Sequence, residues 1–123
     1  MGGLRLKGGR GKQGWYKGYF CNSSWELAWV IYNLDHNIKF QRNTCGFPYI
    51  YQGKKFKFFP DFIMESDNNY VEIKGYMDEK NQAKIRCFPY KLTVLDKLNI
   101  KTYLNYVQNK YGKDFISLYE ISS

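Results

Sequence analysis

The chain has 123 residues, the size of one ordinary domain. Its 44% apolar and 20% aromatic content excludes global disorder, and no apolar run approaches the roughly 18 residues of a membrane span. Nineteen Lys and Arg against eleven Asp and Glu leave a net charge of +8. Residues 1–25 and 37–60 carry basic side chains and no acid at all, the pattern of a protein that meets a polyanion, nucleic acid before membrane surface.

Cysteine and histidine usage narrows the chemistry. Cys21, Cys45 and Cys87 are odd in number, widely spaced and never paired as CxxC. That argues against a disulfide framework and for a reducing cytoplasm, with the three thiols read as small buried hydrophobes. The N-terminus lacks the apolar stretch of a secretory leader. His36 is the single histidine, so no zinc site is expected and catalysis would rest on carboxylates and lysines.

In chain order, residues 1–18 read as a Gly-rich basic arm with seven glycines, too permissive for a helix. Residues 24–36 follow as an amphipathic helix, with Leu27, Val30, Ile31 and Leu34 on one face. Ser23 is its N-cap, Glu26 completes a capping box, and Asn37 is its C-cap. Strands are predicted over 38–42, 49–51 and 54–64, with Gln52-Gly53 as a tight turn. After a turn at 66–69 comes a strand over 70–74, ended by Gly75. Asp78 caps a helix running to about Phe88 and stopped by Pro89. Residues 92–95 read as a buried strand and 99–111 as a helix ended by Gly112, while 115–121 have no assignment. The sum is an α/β domain over 19–123 preceded by the arm.

One constellation carries chemistry. Pro60-Asp61 lies eleven residues before Glu72-Ile73-Lys74. A hairpin of that length brings the Asp61 carboxylate beside that of Glu72, and period-2 alternation puts Glu72 and Lys74 on the face opposite Ile73. Two adjacent carboxylates favour a divalent cation between them, and Mg²⁺ suits because water and phosphate oxygens complete its shell. Lys74 would then orient or deprotonate the attacking water, which amounts to phosphodiester hydrolysis.

These residues resemble the PD-(D/E)xK nuclease superfamily. The match runs from Cys21 to about Leu95 and includes Glu26 on the preceding helix, Pro60-Asp61-Phe62, and Glu72-Ile73-Lys74-Gly75. The chain looks like the catalytic domains of phage-encoded homing endonucleases, and more distantly like phage junction-resolving endonucleases. The resemblance implies a restriction-endonuclease-like core, a central mixed β-sheet flanked by helices. It further implies Asp61, Glu72 and the Ile73 backbone carbonyl as ligands of Mg²⁺ (or Mn²⁺), and Lys74 as the water-positioning base. Glu26 would serve as a water or second-metal ligand, and the products would carry 5′-phosphate and 3′-hydroxyl ends. Gln82 and Lys84 fall on the following helix, where some members carry a functional residue.

The expected partner is double-stranded or branched DNA, with no membrane, in the cytoplasm of a bacterial or phage-infected cell. Arg5, Lys7, Arg10, Lys12 and Lys17 of the arm would hold phosphates, as would Lys54, Lys55, Lys57 and Lys84. Cutting both strands suggests a homodimer. Two alternatives stay open: a Holliday-junction resolvase, and a non-catalytic nucleic-acid-binding module. In the latter, Glu26 only caps its helix and Glu72 and Lys74 form a solvated strand face paired to Lys55 or Lys57.

Overall fold

The computed structural model describes residues 12–73 and 78–122. In chain order the strands and helices are β1 (Gly14–Tyr16), β2 (Tyr19–Cys21), α1 (Ser24–Asp35), β3 (Phe40–Arg42), β4 (Phe47–Tyr51), β5 (Lys54–Phe58), β6 (Phe62–Met64), β7 (Tyr70–Ile73), α2 (Glu79–Cys87), β8 (Leu92–Leu95), α3 (Lys101–Tyr111) and β9 (Ile121–Ser122). They make a mixed α/β protein that divides into two compact units. One comprises the residues up to Ile38 together with those from Ile100 on, and the other is Lys39–Asn99.

In the first unit β1 pairs antiparallel with both β2 and β9. The Lys17-Gly18 turn has φ of 47° and 90°, the left-handed pair that matches the twist of a two-residue hairpin. Residues 14–18 of the predicted arm are hairpin, while residues 1–11 of it lie outside the described residues. Gly14 is required by close approach: a Cβ there would lie 2.6 Å from the Tyr119 ring and 2.8 Å from the Ile121 carbonyl oxygen. Glycine thus marks a packed strand where composition alone reads flexibility.

Helix α1 starts as its sequence dictates. Ser23 Oγ accepts from the Glu26 N–H at 3.2 Å, while Glu26 Oε1 accepts from the Asn22 N–H at 3.1 Å. The chain leaves α1 through Asn37 at φ 57°, a conformation Asn tolerates. Asp35, in the last turn of α1, ties α1 to α3. Its Oδ2 accepts from Tyr106 Oη and Tyr111 Oη at 2.8 Å each and from Lys110 Nζ at 3.2 Å. The segment left unassigned from sequence holds a 3₁₀ turn at Phe115–Leu118 and then β9.

The second unit contains a mixed four-stranded sheet in the order β3-β6-β7-β8, with β7 and β8 parallel and the other pairs antiparallel. Strands β4 and β5 form a separate two-stranded ribbon, closed by Gln52-Gly53 at φ 51° and 74°. Helix α2, capped by Asp78 Oδ1 accepting from the Asn81 N–H at 2.8 Å, packs Ala83 against Tyr49 and Phe58 of the ribbon.

The single strand predicted over 54–64 is two strands in two different sheets. The break falls at Phe59-Pro60-Asp61, where Pro60 has no N–H to give a ladder and is fully buried. Asn43 holds the break: its Nδ2 donates to the Pro60 carbonyl at 2.9 Å and its backbone N–H to the Asp61 carbonyl at 3.0 Å. The cysteine expectation is corrected for two of three, since Cys21 is buried while Cys45 and Cys87 are exposed.

Candidate active site

Asp61 immediately precedes β6, and the β6–β7 register decides what it meets. Phe62 pairs with Val71 and Ile63 with Tyr70, so one step further along the hairpin Asp61 falls opposite Glu72. The Asp61 side chain reaches across the hairpin end. Its Oδ2 accepts from the Ile73 backbone N–H at 2.7 Å, a short charge-assisted bond that fixes the carboxylate beside β7.

The other carboxylate oxygen faces a cation. Arg42, the last residue of β3, lays its guanidinium over the Phe62 ring, 4.3 Å from the ring centre. Its Nη1 lies 3.7 Å from Asp61 Oδ1 and donates to the Asp61 carbonyl at 3.4 Å. The β3–β6 pairing, Arg42 opposite Phe62, creates this contact.

Glu72 faces the α2 side of the sheet, with Oε1 sealed from solvent. It lines a small cleft with Phe58, Asn81, Lys84, Ile85 and Val94. Lys84 crosses the Phe58 ring, with Nζ 5.3 Å from its centre. Glu72 therefore faces α2 across this cleft. Lys55 and Lys57 pair instead with Ile50 and Pro48 within the ribbon.

Asp61 and Glu72 are hard oxygen donors. Among the described residues no three His, Cys, Asp or Glu side chains group as ligands for a metal. A cation held by this carboxylate pair would complete its shell with backbone oxygen, water and phosphate, which suits Mg²⁺ in kind.

Glu26 belongs to the first unit, buried at the N-terminus of α1 in its capping role. Tyr119 is its neighbour: burial pushes the phenol up, helped by Cys21 and Glu26, and its Oη donates to the Lys12 carbonyl at 2.9 Å. The Lys17 backbone N–H donates to Glu120 Oε1 at 3.1 Å. Lys54, Lys55 and Lys57 are exposed along β5, while Gln82 and Lys84 sit on α2. Arg5, Lys7, Arg10, Lys74 and Gly75 lie outside the described residues.

Sequence reasoning missed Arg42 and Asn43 as partners of the Pro60-Asp61 break. Nothing local marks them, since they stand 17 to 19 residues away and act only through strand pairing. No family model, curated protein or solved structure matches the chain.

Proposed function

We propose that the chain is a metal-dependent DNA endonuclease of the PD-(D/E)xK kind, built on a restriction-endonuclease-like core and acting as a phage homing-type enzyme. The observation that carries this reading is the bond that locks Asp61 to the Ile73 N–H, in a β6–β7 register whose next step sets Asp61 opposite Glu72. Asp61, Glu72 and the Ile73 carbonyl would hold Mg²⁺ or Mn²⁺. Bound there, the ion would polarise a phosphoryl oxygen and acidify water. Lys74 positions the attacking water and takes its proton, and Lys84, across the cleft from Glu72, offsets charge developing on the phosphate. Arg5, Lys7, Arg10, Lys12, Lys17, Lys54, Lys55 and Lys57 neutralise backbone phosphates of duplex or branched DNA. Two copies would cut the two strands. No helix among the described residues is long and apolar enough to cross a membrane.

The Arg42–Asp61 ion pair favours one second reading, in which Asp61 is a structural clamp in a non-catalytic nucleic-acid-binding module. The test places wild type, Asp61→Asn, Lys74→Ala and Glu26→Gln with supercoiled plasmid and a labelled four-way junction, in Mg²⁺ and in EDTA. Mg²⁺-dependent cutting by wild type, lost in Asp61→Asn and Lys74→Ala with DNA binding retained, supports the nuclease. Loss in Glu26→Gln as well assigns Glu26 beyond its cap. Selective cutting of the junction makes the enzyme a resolvase. Binding without cutting by wild type leaves the binding module.

A further inference from the structure

We infer that the β4–β5 ribbon is the element that enters the major groove of duplex DNA, an assignment that rests on the nucleic-acid reading above and gives it a contact surface. The ribbon is two-sided. Its inner face, Phe47, Tyr49, Phe56 and Phe58, is anchored on the second unit, with Tyr49 and Phe58 buried against Ala83 of α2. Two lysines of α2 brace that face by lying on its rings, Lys80 Nζ 4.1 Å from the centre of Phe56 and Lys84 Nζ 5.3 Å from that of Phe58. The ribbon is closed by the left-handed Gln52-Gly53 turn.

The outer face is formed by two cross-strand pairs, Ile50 opposite Lys55 and Pro48 opposite Lys57. All four side chains are exposed, Ile50 by 60%. On this face one strand therefore presents an apolar row and the other a cationic row. Neither strand carries an acid, and none occurs between Asn37 and Pro60.

Lysine and proline on edge strands also guard against edge-to-edge association. That role leaves the outward Ile50 unexplained, since an exposed β-branched residue on an edge invites the association it should prevent. A duplex explains both rows. A two-stranded ribbon, its strands about 4.8 Å apart, fits a major groove about 12 Å wide. The five residues of each strand span about 17 Å, enough to follow several base pairs. In that pose Lys55 and Lys57 reach phosphates or guanine edges, and Ile50 meets thymine methyl groups.

The test measures binding of the full chain to a fluorescent 20-base-pair duplex in EDTA, across an NaCl titration. Lys55→Ala/Lys57→Ala is compared with Lys101→Ala/Lys113→Ala, which removes equal charge from exposed positions in the first unit. The ribbon pair is expected to bind at least tenfold more weakly, with a log–log salt slope shallower by about 2, and the control pair to stay within twofold of wild type. Methyl green, a major-groove ligand, should displace the unmodified protein, and netropsin, a minor-groove ligand, should not. Equal loss in both pairs, displacement by netropsin alone, or no duplex binding by wild type overturns the assignment. Cleavage in Mg²⁺ is followed in parallel. Cutting with unchanged binding by the ribbon pair removes the groove assignment and leaves the nuclease, whereas ribbon-dependent binding without cutting does the reverse.

Discussion

Asp61 Oδ2 and the Ile73 backbone N–H are joined by a 2.7 Å hydrogen bond across the open end of the β6–β7 hairpin. The bond does two jobs at once: it satisfies the last donor of β7, and it holds a carboxylate opposite Glu72. Structure and chemistry at Asp61 can be separated because an amide oxygen accepts the same bond.

Asp61→Asn is expected to keep the fold, losing about 1 kcal/mol or less with the Arg42 ion pair. Asp61→Ala leaves the Ile73 N–H without its side-chain acceptor and should cost about 1–2 kcal/mol more. Urea unfolding of the two variants checks the ordering. Under the nuclease reading both lose cleavage by at least ~10²-fold, so activity falls without tracking stability.

Arg42 and Asp61 are partly exposed, at 30% and 18% of their side chains, so their mutual attraction is modest. A double-mutant cycle with Arg42→Ala and Asp61→Asn should give a coupling of less than about 1 kcal/mol, shrinking further in 0.5 M salt (roughly a Debye length of 4 Å). Arg42→Ala alone should cost about 1 kcal/mol more than the coupling, from contact with the Phe62 ring. A coupling above about 2 kcal/mol would mean the pair is tighter than its geometry indicates.

Asp35 gives the first unit a defined acid response. Burial pushes its carboxyl up, but hydrogen bonds from Tyr106, Tyr111 and Lys110 outweigh that and hold it below the ordinary value of 3.8. A carboxyl lowered by folding contributes stability above its unfolded pKa and loses it as pH falls through the folded one. The wild type should therefore lose thermal stability below pH about 4 more steeply than Asp35→Asn. Tyr106→Phe, which removes one donor, should cost about 1 kcal/mol at pH 7.

The ribbon turn is open to improvement. Gln52 occupies a left-handed position, φ 51°, that Asn adopts with less strain, and Gly53 at φ 74° has nothing within 4 Å of an added Cβ. Gln52→Asn should stabilise by about 0.5 kcal/mol, and Gly53→Ala should destabilise by about 1 kcal/mol through backbone strain alone. Melting temperatures moving in opposite directions check both.

How much of this was legible beforehand follows the range of the forces. The caps at Ser23 and Asp78, the apolar stripe of α1, the Gln52-Gly53 turn and the stop at Gly112 act within four residues, and each was readable from local spacing. The Asp61 and Glu72 spacing was readable too, because a short hairpin has few registers. Gly14 was misread because composition does not say whether a glycine serves freedom or close approach. The 54–64 segment was misread because aromatic and apolar residues recur along it from Phe56 to Met64, and only the burial of Pro60 and the grip of Asn43 show the chain changing sheets.

The sequence by itself determined helix ends, turn types and the order of apolar and charged faces along each strand, since these depend on neighbours that chain connectivity supplies. Tertiary structure alone decided that β5 stays with β4 while β6 joins β3 and β7, that Arg42 meets Asp61, and that Glu72 faces a cleft under α2. Strand pairing is a competition among distant partners, settled by which arrangement buries Phe40, Phe62, Tyr49 and Phe58 together with the fewest backbone groups left without bonds.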